Sequence, residues 1–318
     1  MKPFFPWVGG KRSLLHIILP LIPIEKDENN ENVIYIEVFG GGGAVLLAKE
    51  PSKYEIYNDY SGDLVNLFQV VKETPIYFLK ELNMMKLNSR KDFFYLIDIL
   101  KGEINQYEEI DGQLTIVNIA FEDEELFKEA IKILEEKANN NDANRAVVYY
   151  RVLKTSYAAS GTSFAGIPIY LDMRKIRNEI FRASDRLKRV VIEQQSYEDL
   201  IPRFKDKPNV FFYCDPPYYK TEGYYGGFYH EDHQKLRDIL GEIKGKFLLS
   251  YNDCEYIRDL YKGFYIIPVE RLNNIKQKYD PGSVFKELLI ANYDITEISY
   301  RQPKQLNIWE EHDEFENY

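Results

Sequence analysis

The stretch YIEVFGGGGAVLL at residues 35–47 leads from an apolar strand through four consecutive glycines into a helical pattern. Such a loop lets a ligand approach bare backbone close to the start of a helix. The GxGxxG fingerprint of dinucleotide-binding proteins needs a further glycine, but Val45 and Leu46 occupy the candidate positions. The stretch therefore indicates either a ligand-binding loop of another kind or a tight structural turn.

Other apolar runs extend this strand into a sheet. Because apolar strands separated by helical patterns bury both faces, they indicate a mostly parallel α/β sheet with helices on both sides. The series pauses between about residues 74 and 185, where the pattern is mostly helical. We predict a sheet domain at 1–75 plus 186–318 and an inserted, mostly helical lobe at 76–185. Strands are predicted at 33–39, 54–58, 190–194, 210–214, 246–250, 264–269 and 287–292.

The composition narrows the class of protein. A chain of 318 residues can form one large domain or two smaller ones. Two cysteines are too few for a disulfide framework, so we expect a reducing cytoplasm. The four histidines lack the spacing and partners of a zinc site, so we expect no metal.

A basic pair, Lys11 and Arg12, precedes an apolar run at residues 13–23 in a profile that is similar to a signal peptide. His16 interrupts the run, prolines end it, and no small-residue cleavage site follows. The run is also too short to span a bilayer. We therefore expect a buried amphipathic helix and no membrane contact.

The strand at 54–58 is followed directly by Asp59, nineteen residues after Gly40. In doubly wound nucleotide-binding folds an acid at this place accepts hydrogen bonds from ribose hydroxyls. Together with the glycine loop, Asp59 indicates a cofactor of adenosine type; a helix N-cap is the alternative. ATP is not expected, since PWVGGKRS at residues 6–13 lacks the first glycine and the Ser/Thr of a P-loop.

The apolar run at 210–214 ends in Asp215, two prolines and Tyr218. Because proline donates no backbone hydrogen bond and has a fixed φ, Pro216 and Pro217 stop the strand and stiffen the turn. A rigid turn that holds one carboxylate and one aromatic ring indicates a chemical role. A capped structural turn is the alternative.

Five segments together resemble the Dam-like N6-adenine DNA methyltransferases in order and spacing: WVGGK, EVFGGGGAV, YNDYSGDL, CDPPYY and LLSYND. The resemblance covers about residues 3–75 and 190–295. It implies a Rossmann-like seven-stranded sheet, S-adenosylmethionine as methyl donor, S-adenosylhomocysteine as product, no metal, and double-stranded DNA as substrate. It also implies that the sheet domain is catalytic and that residues 76–185 form a target-recognition insertion.

The resemblance and the neighbouring motifs assign the site residues. The predicted catalytic residues are Asp215, Pro216, Pro217 and Tyr218. The predicted cofactor-binding residues are Trp7, Gly9, Gly10, Lys11, Glu37, Phe39, Gly40, Gly41, Gly42, Gly43, Asp59, Ser196, Tyr197 and Asp215. A strand-terminal turn explains Ser196 and Tyr197 equally well. The predicted DNA-binding residues are Arg174, Lys175, Arg177, Lys220, Tyr251 and Asn252.

The resemblance also gives the DPPY turn a mechanism. Adenine N6 is a poor nucleophile because its lone pair is delocalised into the ring. When Asp215 and the carbonyl of Pro216 accept the N6–H bonds, the lone pair is localised and directed at the sulfonium methyl, with proximity and electrostatics lowering the barrier. Tyr218 can stack on a base that has been flipped out of the duplex.

Other activities stay open as alternatives. C5-cytosine methylation needs a cysteine nucleophile, but strand alternation points Cys214 into the core, where we expect it to be inert. N4-cytosine, RNA and protein-glutamine methylation are the alternatives within the enzyme class. Asp215 favours adenine, because related amino-methylating enzymes often carry Ser or Asn there. An inactive DNA-binding regulator is the alternative from another class.

The partners are only partly indicated. The segment SGTSFAGIPIY at 160–170 stands where GATC-methylating relatives carry an FNVPFG-like segment, so a GATC target is not expected. A cognate restriction endonuclease is a candidate partner, and a cytoplasmic, DNA-associated monomer is favoured.

The charge is uneven along the chain. A net charge of −10 argues against a wholly basic nucleic-acid binder. Residues 101–142 hold twelve acids and four bases, whereas residues 174–189 hold seven bases and two acids.

The basic residues at 174–189 are predicted to lie on a helix. The apolar spacing after Asp172, a candidate N-cap, predicts this helix and places the bases outside its buried stripe. The bases, predicted to point away from the core, are Arg174, Lys175, Arg177, Arg182, Arg186, Lys188 and Arg189. Part of this face is predicted to hold DNA phosphates; a merely solvated helix face is the alternative.

Overall fold

A seven-stranded mixed sheet forms the centre of the molecule. The computed structural model describes residues 1–23, 33–84, 143–156, 172–220, 228–272 and 284–296. The strands are β1 (Ile34–Glu37), β2 (Tyr54–Asn58), β3 (Val190–Glu193), β4 (Val210–Cys214), β5 (Lys246–Asn252), β6 (Tyr265–Leu272) and β7 (Val284–Ala291). Each of the seven predicted apolar runs forms a strand, so the predicted Rossmann-like α/β sheet is confirmed.

The sheet combines a parallel part with an antiparallel edge. The strands lie in the order β3-β2-β1-β4-β5-β7-β6. The first five are parallel to one another. Strand β7 is inserted between β5 and β6 and runs antiparallel to both.

Helices cover both faces of the sheet. Within the described ranges they are α1 (Leu15–Ile18), α2 (Ala44–Ala48), α3 (Gly62–Glu73), α4 (Pro75–Met84), α5 (Ala143–Thr155), α6 (Met173–Leu187), α7 (Tyr197–Leu200), α8 (His230–Gly241) and α9 (Glu255–Leu260). Successive strand residues point to opposite faces, so Phe211 packs in the core beneath α1 to α6 and Phe212 in the core beneath α7 to α9. The central strands β1, β4 and β5 are buried from both sides, which explains why their apolar runs are the most continuous.

Helices α4, α5 and α6, which the sequence assigned to the inserted lobe at 76–185, share a core with α3. Buried residues of these four helices, such as Phe68, Phe78, Tyr150 and Ile180, belong to one hydrophobic cluster. The rest of the predicted lobe lies outside the described residues. A separate target-recognition lobe with these boundaries therefore stays a prediction.

Helix α6 begins where the sequence indicates. The Asp172 carboxylate accepts the N–H groups of Arg174 at 3.0 Å and Lys175 at 3.2 Å, which is an N-cap. The residues buried along one side of the helix include Ile176, Ile180, Ala183 and Leu187. The predicted cap and the predicted apolar stripe are both confirmed.

Arg186 on α6 does not point away from the core, contrary to the prediction. Its guanidinium donates to Glu55 on β2 at 2.5 and 2.9 Å and to the Leu46 carbonyl at 2.7 Å. Lys49 contacts the same carboxylate at 2.5 Å. Since Glu55 is buried, the two cations compensate its charge. The long arginine side chain reaches back toward the sheet, which helical periodicity alone does not reveal.

The apolar run at 13–23 forms short helical turns instead of one continuous helix. Helix α1 is flanked by 3-10 turns at Lys11–Leu14 and Leu19–Leu21. Leu14, Ile18 and Leu21 are buried, so the expectation of a core segment is confirmed. In the part of the chain that the structure describes, no helix has the length and apolar character needed to cross a membrane.

Candidate active site

Three loops meet at the carboxyl ends of β1, β2 and β4. These strands are parallel neighbours, so the segments after them leave the sheet at one edge. The four glycines follow β1, Asp59 follows β2, and Asp215 follows β4. The chain order reverses on either side of β1, and a crevice at such a switch point is the usual ligand-binding position in an open α/β sheet.

Gly41 is fixed to the end of β2 by both of its backbone groups. Its N–H donates to Asp59 Oδ2 at 2.8 Å, and its carbonyl accepts from the Tyr57 hydroxyl at 2.7 Å. Asp59 Oδ1 accepts the N–H of Ser61 at 2.8 Å. Burial raises the pKa of Asp59, and these backbone hydrogen bonds oppose the rise. The side chain that was predicted to accept ribose hydroxyls is therefore also a scaffold of the glycine loop.

Trp7 packs directly against the glycine loop. A Cβ atom on Gly41 would lie 2.6 Å from the indole nitrogen of Trp7, and one on Gly42 would lie 2.7 Å from its Cβ. Gly41 also has a φ of +49°, a conformation that glycine adopts readily. A Cβ on Gly40 would collide with the Tyr57 ring. Close packing explains why these three positions of the loop hold glycine.

Lys11 lies at the DPPY turn. Its ammonium donates to Asp215 Oδ2 at 2.6 Å and to the Gly9 carbonyl at 2.9 Å. It also stands 4.9 Å from the centroid of the Tyr218 ring. The sequence predicted that Lys11 contacts the cofactor; the structure brings it onto the carboxylate of the predicted catalytic residue.

Asp215 keeps one carboxylate oxygen open. Its Oδ1 is buried and receives no hydrogen bond from any residue that the structure describes. Burial raises the pKa of Asp215 to about 6, while the positive charge of Lys11 acts in the opposite direction. Buried polar atoms in proteins are nearly always hydrogen-bonded. An acceptor left open at the end of β4 is what a site needs to receive a hydrogen bond from its ligand.

Two residues that the sequence did not reveal hold Tyr218 in place, Glu287 directly and Arg271 through Glu287. The Tyr218 hydroxyl donates to Glu287 Oε2 on β7 at 2.6 Å. Arg271 on β6 donates a short hydrogen bond to the other oxygen of Glu287. Burial raises the pKa of Tyr218 well above its usual value. A glutamate at the start of an apolar run looks like a strand boundary, so only the strand register reveals this contact.

Glu37 is buried between β1 and α2. Its Oε2 accepts the Tyr35 hydroxyl and the Leu46 N–H, both at 2.8 Å. Burial raises the pKa of Glu37 to about 8, so the protonated form is favoured at neutral pH. These contacts tie the strand before the glycines to the helix after them. The contact with cofactor that was predicted for Glu37 stays a prediction.

Aromatic rings gather beside the glycine loop. The Phe39 ring lies 5.7 Å from Tyr197 and 5.9 Å from Phe228, and these two rings are 5.6 Å apart. Ser196 caps α7 by accepting the N–H of Glu198 at 3.2 Å, as the alternative of a strand-terminal turn predicted. A cluster of this kind suits a planar purine ring.

The predicted DNA contacts after β4 and β5 differ in exposure. Tyr251 is fully buried and its hydroxyl lies 2.6 Å from His233 Nδ1, so the structure does not place it for direct contact with DNA. Asn252 binds the backbone of Tyr219, accepting its N–H at 3.0 Å and donating to its carbonyl at 3.1 Å. Lys220 is exposed, with a φ of 56°.

The predicted DNA-binding residues of α6 are at the surface. Arg174, Lys175 and Arg177 are exposed, as the sequence predicts. Beside them an apolar groove separates α4 from α6. The groove is lined by Ile76, Leu79, Lys80, Met173, Arg174, Arg177 and Phe181. Contact of these bases with DNA stays a prediction.

Cys214 is buried in the core beneath α7 to α9, as predicted. Burial raises the pKa of its thiol, which disfavours the thiolate that a nucleophile requires. Among the described residues, no three or more His, Cys, Asp or Glu side chains are grouped to hold a metal ion.

Comparison with known families decides the assignment. Residues 7–275 match the model of the D12 class N6 adenine-specific DNA methyltransferases, and this span includes the glycine loop, Asp59 and the DPPY turn. The chain belongs to this family. It is an enzyme that methylates adenine in DNA, and its family uses S-adenosylmethionine as the methyl donor.

Three relatives align with this methyltransferase over 92% of its length. Type II methyltransferase M1.LlaDCHI of Lactococcus lactis subsp. cremoris is 27% identical over 308 residues, which are 96% of that protein. Type II methyltransferase M.MjaIII of Methanocaldococcus jannaschii is 28% identical over 318 residues, 99% of that protein. Type II methyltransferase M.CviBI of Paramecium bursaria Chlorella virus NC1A is 23% identical over 301 residues, 100% of that protein.

Family membership confirms the predicted activity. It favours adenine in DNA over N4-cytosine, RNA and protein glutamine, and it favours an enzyme over an inactive regulator. The residues that the sequence assigned to catalysis and cofactor binding all fall within the matched span.

Proposed function

We propose that this methyltransferase acts on an adenine flipped out of duplex DNA and that Asp215, Pro216, Pro217 and Tyr218 form its catalytic turn. The buried Oδ1 of Asp215, which receives no hydrogen bond from the described residues, is the observation that carries the proposal. Adenine N6 has two N–H donors, and a buried carboxylate oxygen without a partner is a matching acceptor. The Pro216 carbonyl is the proposed second acceptor, held in direction by the stiff turn.

The charges around Asp215 suit this role. Lys11 stabilises the ionised carboxylate, which accepts hydrogen bonds without donating any. Accepting the N6–H bonds localises the nitrogen lone pair, and these acceptors are already in place before the reaction. With a pKa of about 6, Asp215 is also suited to receive the proton that N6 loses on methylation.

The residues at the strand ends fit S-adenosylmethionine. When bound, this cofactor supplies an electrophilic sulfonium methyl group. We assign the rings of Phe39 and Tyr197, with Ser196, to the cofactor adenine, and Asp59 to the ribose hydroxyls. Trp7, Gly10, Lys11, Glu37 and the glycines 40–43 are assigned to the methionine part. Gly9 joins them, since a Cβ there would meet nothing within 4 Å and its backbone borders open space.

The proposal also covers the DNA contacts, the partner and the assembly of the enzyme. Arg174, Lys175, Arg177, Lys220 and Asn252 are assigned to DNA, and residues 76–185 to target recognition. The relatives named as type II methyltransferases support a role beside a cognate restriction endonuclease. We further propose a monomer that acts in the cytoplasm.

Methylation of DNA in a host that lacks adenine methylation tests the function directly. Purified enzyme should transfer label from tritiated S-adenosylmethionine to this DNA, and digestion should release labelled N6-methyldeoxyadenosine. Sequencing the methylome of the expressing host should then show one modified sequence. Label in N4-methyldeoxycytidine, or in RNA or protein alone, would contradict the proposal.

A further inference from the structure

Tyr218, the last residue of the proposed catalytic turn, and its neighbour Tyr219 are held by two residues that pair across β5 and β7. Asn252 on β5 and Glu287 on β7 are cross-strand partners. Asn252 binds the backbone N–H and carbonyl of Tyr219, while Glu287 accepts the hydroxyl of Tyr218. The antiparallel edge of the sheet therefore holds both the backbone and the ring of the turn that follows β4.

Glu287 is itself fixed by β6. In the β6–β7 register Val269 lies opposite Glu287 and Arg271 lies opposite Phe285, so Arg271 and Glu287 are diagonal neighbours on one face. The guanidinium donates to Glu287 and stands 4.3 Å from the centroid of the Phe285 ring. Glu287 is 1% exposed, and both of its oxygens accept a hydrogen bond. Its carboxylate is a rigid support for the tyrosine hydroxyl.

The Glu287 carboxylate also lies close to Lys11, the residue whose ammonium pairs with Asp215. The Lys11 ammonium is 2.6 Å from Asp215 and 4.0 Å from Glu287, and it faces the Tyr218 ring. The negative charges of Asp215 and Glu287 are therefore compensated by the positive charges of Lys11 and Arg271 close to Tyr218. The ring is held at its hydroxyl by Glu287 and on its face by Lys11.

We propose that Glu287, supported by Arg271, is a positioning residue for methyl transfer that fixes the ring of Tyr218 where it stacks on the flipped adenine. This inference rests on the proposed role of the DPPY turn. Glu287 acts through Tyr218 and does not contact the base or the cofactor. A ring released from Glu287 still stacks, but in more than one orientation, and a misplacement of about 1 Å can reduce a rate by about 10²-fold.

Two conservative changes isolate this contact. Tyr218→Phe keeps the ring and removes the hydroxyl. Glu287→Gln keeps the size of the side chain, but it removes the charge and leaves one acceptor oxygen for two donors, the Arg271 guanidinium and the Tyr218 hydroxyl. Glu270→Gln is the matched control, because Glu270 is exposed on β6, pairs in register with Lys286, and alternates to the opposite face from Arg271. A double variant, Tyr218→Phe with Glu287→Gln, tests whether the two residues act together.

We expect Tyr218→Phe and Glu287→Gln each to lower kcat by about 10- to 100-fold, with unchanged affinity for S-adenosylmethionine in calorimetry. The double variant should lose little more than either single one, because both changes act on the same contact. A duplex with 2-aminopurine at the methylated position, as identified by methylome sequencing, should show an altered flipping signal in both variants. Glu270→Gln should match the wild type.

Unchanged kcat and unchanged 2-aminopurine fluorescence in both single variants would overturn the positioning role. Independent losses that multiply in the double variant would do the same. If Glu287→Gln does not fold, Tyr218→Phe decides by the same two readouts. Failure of the proposed function is distinct, because the wild-type enzyme would then not methylate adenine at all.

Discussion

The ammonium of Lys11 lies 2.6 Å from the carboxylate of Asp215, although 204 positions separate the two residues in the chain. The parallel neighbours β1 and β4 bring the glycine loop and the DPPY turn to one edge of the sheet, and Lys11 bridges the segment before β1 to that turn. Because the Lys11 charge favours the ionised form of Asp215, the pair sets the pH range in which the Asp215 carboxylate can accept a hydrogen bond from N6.

This pairing predicts the acid side of the pH profile. We expect kcat/KM of the wild type to fall as the pH drops through about 6, since protonation removes the carboxylate acceptor. Lys11→Met removes a charge that lowers the pKa of Asp215, so its acid limb should move to higher pH. Lys11→Arg keeps the charge and should keep the limb near its wild-type position. Rates measured from about pH 5 to about pH 9 check this; an unmoved limb in Lys11→Met would contradict it.

The packing of Trp7 on the glycine loop predicts a strong effect at Gly41. Gly41→Ala introduces a Cβ against the indole in a left-handed backbone conformation, which alone costs about 1–2 kcal/mol. We expect a lower melting temperature and weaker binding of S-adenosylmethionine. Gly241→Ala is the control, because a Cβ there meets nothing within 4 Å. Equal cofactor affinity in the two variants would refute the role given to this loop.

Asp59 is predicted to serve both the loop and the cofactor. Asp59→Ala removes the acceptor for the N–H groups of Gly41 and Ser61 and the proposed acceptor for ribose. Since a hydrogen bond to a charged group contributes about 1.5–3 kcal/mol, affinity for S-adenosylmethionine should fall by about one to two orders of magnitude. Asp59→Asn retains one oxygen and should lose less. If calorimetry finds wild-type affinity for S-adenosylmethionine in Asp59→Ala, the assignment of Asp59 to the cofactor ribose is wrong.

The exposed bases of α6 are predicted to hold DNA phosphates. Each lost phosphate contact should reduce the slope of log affinity against log salt by about 0.9, so Arg174→Ala with Arg177→Ala should reduce it by about 1.8. Binding to all sequences should weaken while cofactor affinity stays unchanged. Lys205→Ala with Lys262→Ala removes two exposed cations from other elements and is the control. An unaltered salt slope in the α6 variant would contradict the phosphate contacts and show that the basic face of α6 is merely solvated.

The sequence predicts the parts of this fold that depend on local pattern. Runs of apolar residues locate all seven strands, and the most continuous runs belong to the central strands, which are covered on both faces. The glycine loop, Asp59 and the DPPY turn are also local motifs, so they are recognisable without coordinates. The insertion of β7 between β5 and β6 depends on pairing across the sheet, which no local pattern encodes.

The residues that prediction missed or misplaced owe their positions to such long-range pairing. Glu287 contacts Tyr218, and Arg271 contacts Glu287, only because β7 lies beside β5 and β6. Arg186 satisfies the helical pattern of an exposed base, yet a buried acid on β2, Glu55, draws its guanidinium inward. Tyr251 ends a strand like a pocket residue, but its bond to His233 holds it within the core.

The central claim is that the open carboxylate oxygen of Asp215 receives an N6–H bond of the target adenine. The most direct test is the single-turnover rate of methyl transfer in Asp215→Ala, with circular dichroism and cofactor affinity measured on the same sample. Because one preorganised polar contact commonly contributes about 10²–10³ in rate, we expect a loss of at least this size with the fold retained. Methyl transfer at close to the wild-type rate by a folded, cofactor-binding Asp215→Ala enzyme would contradict the account.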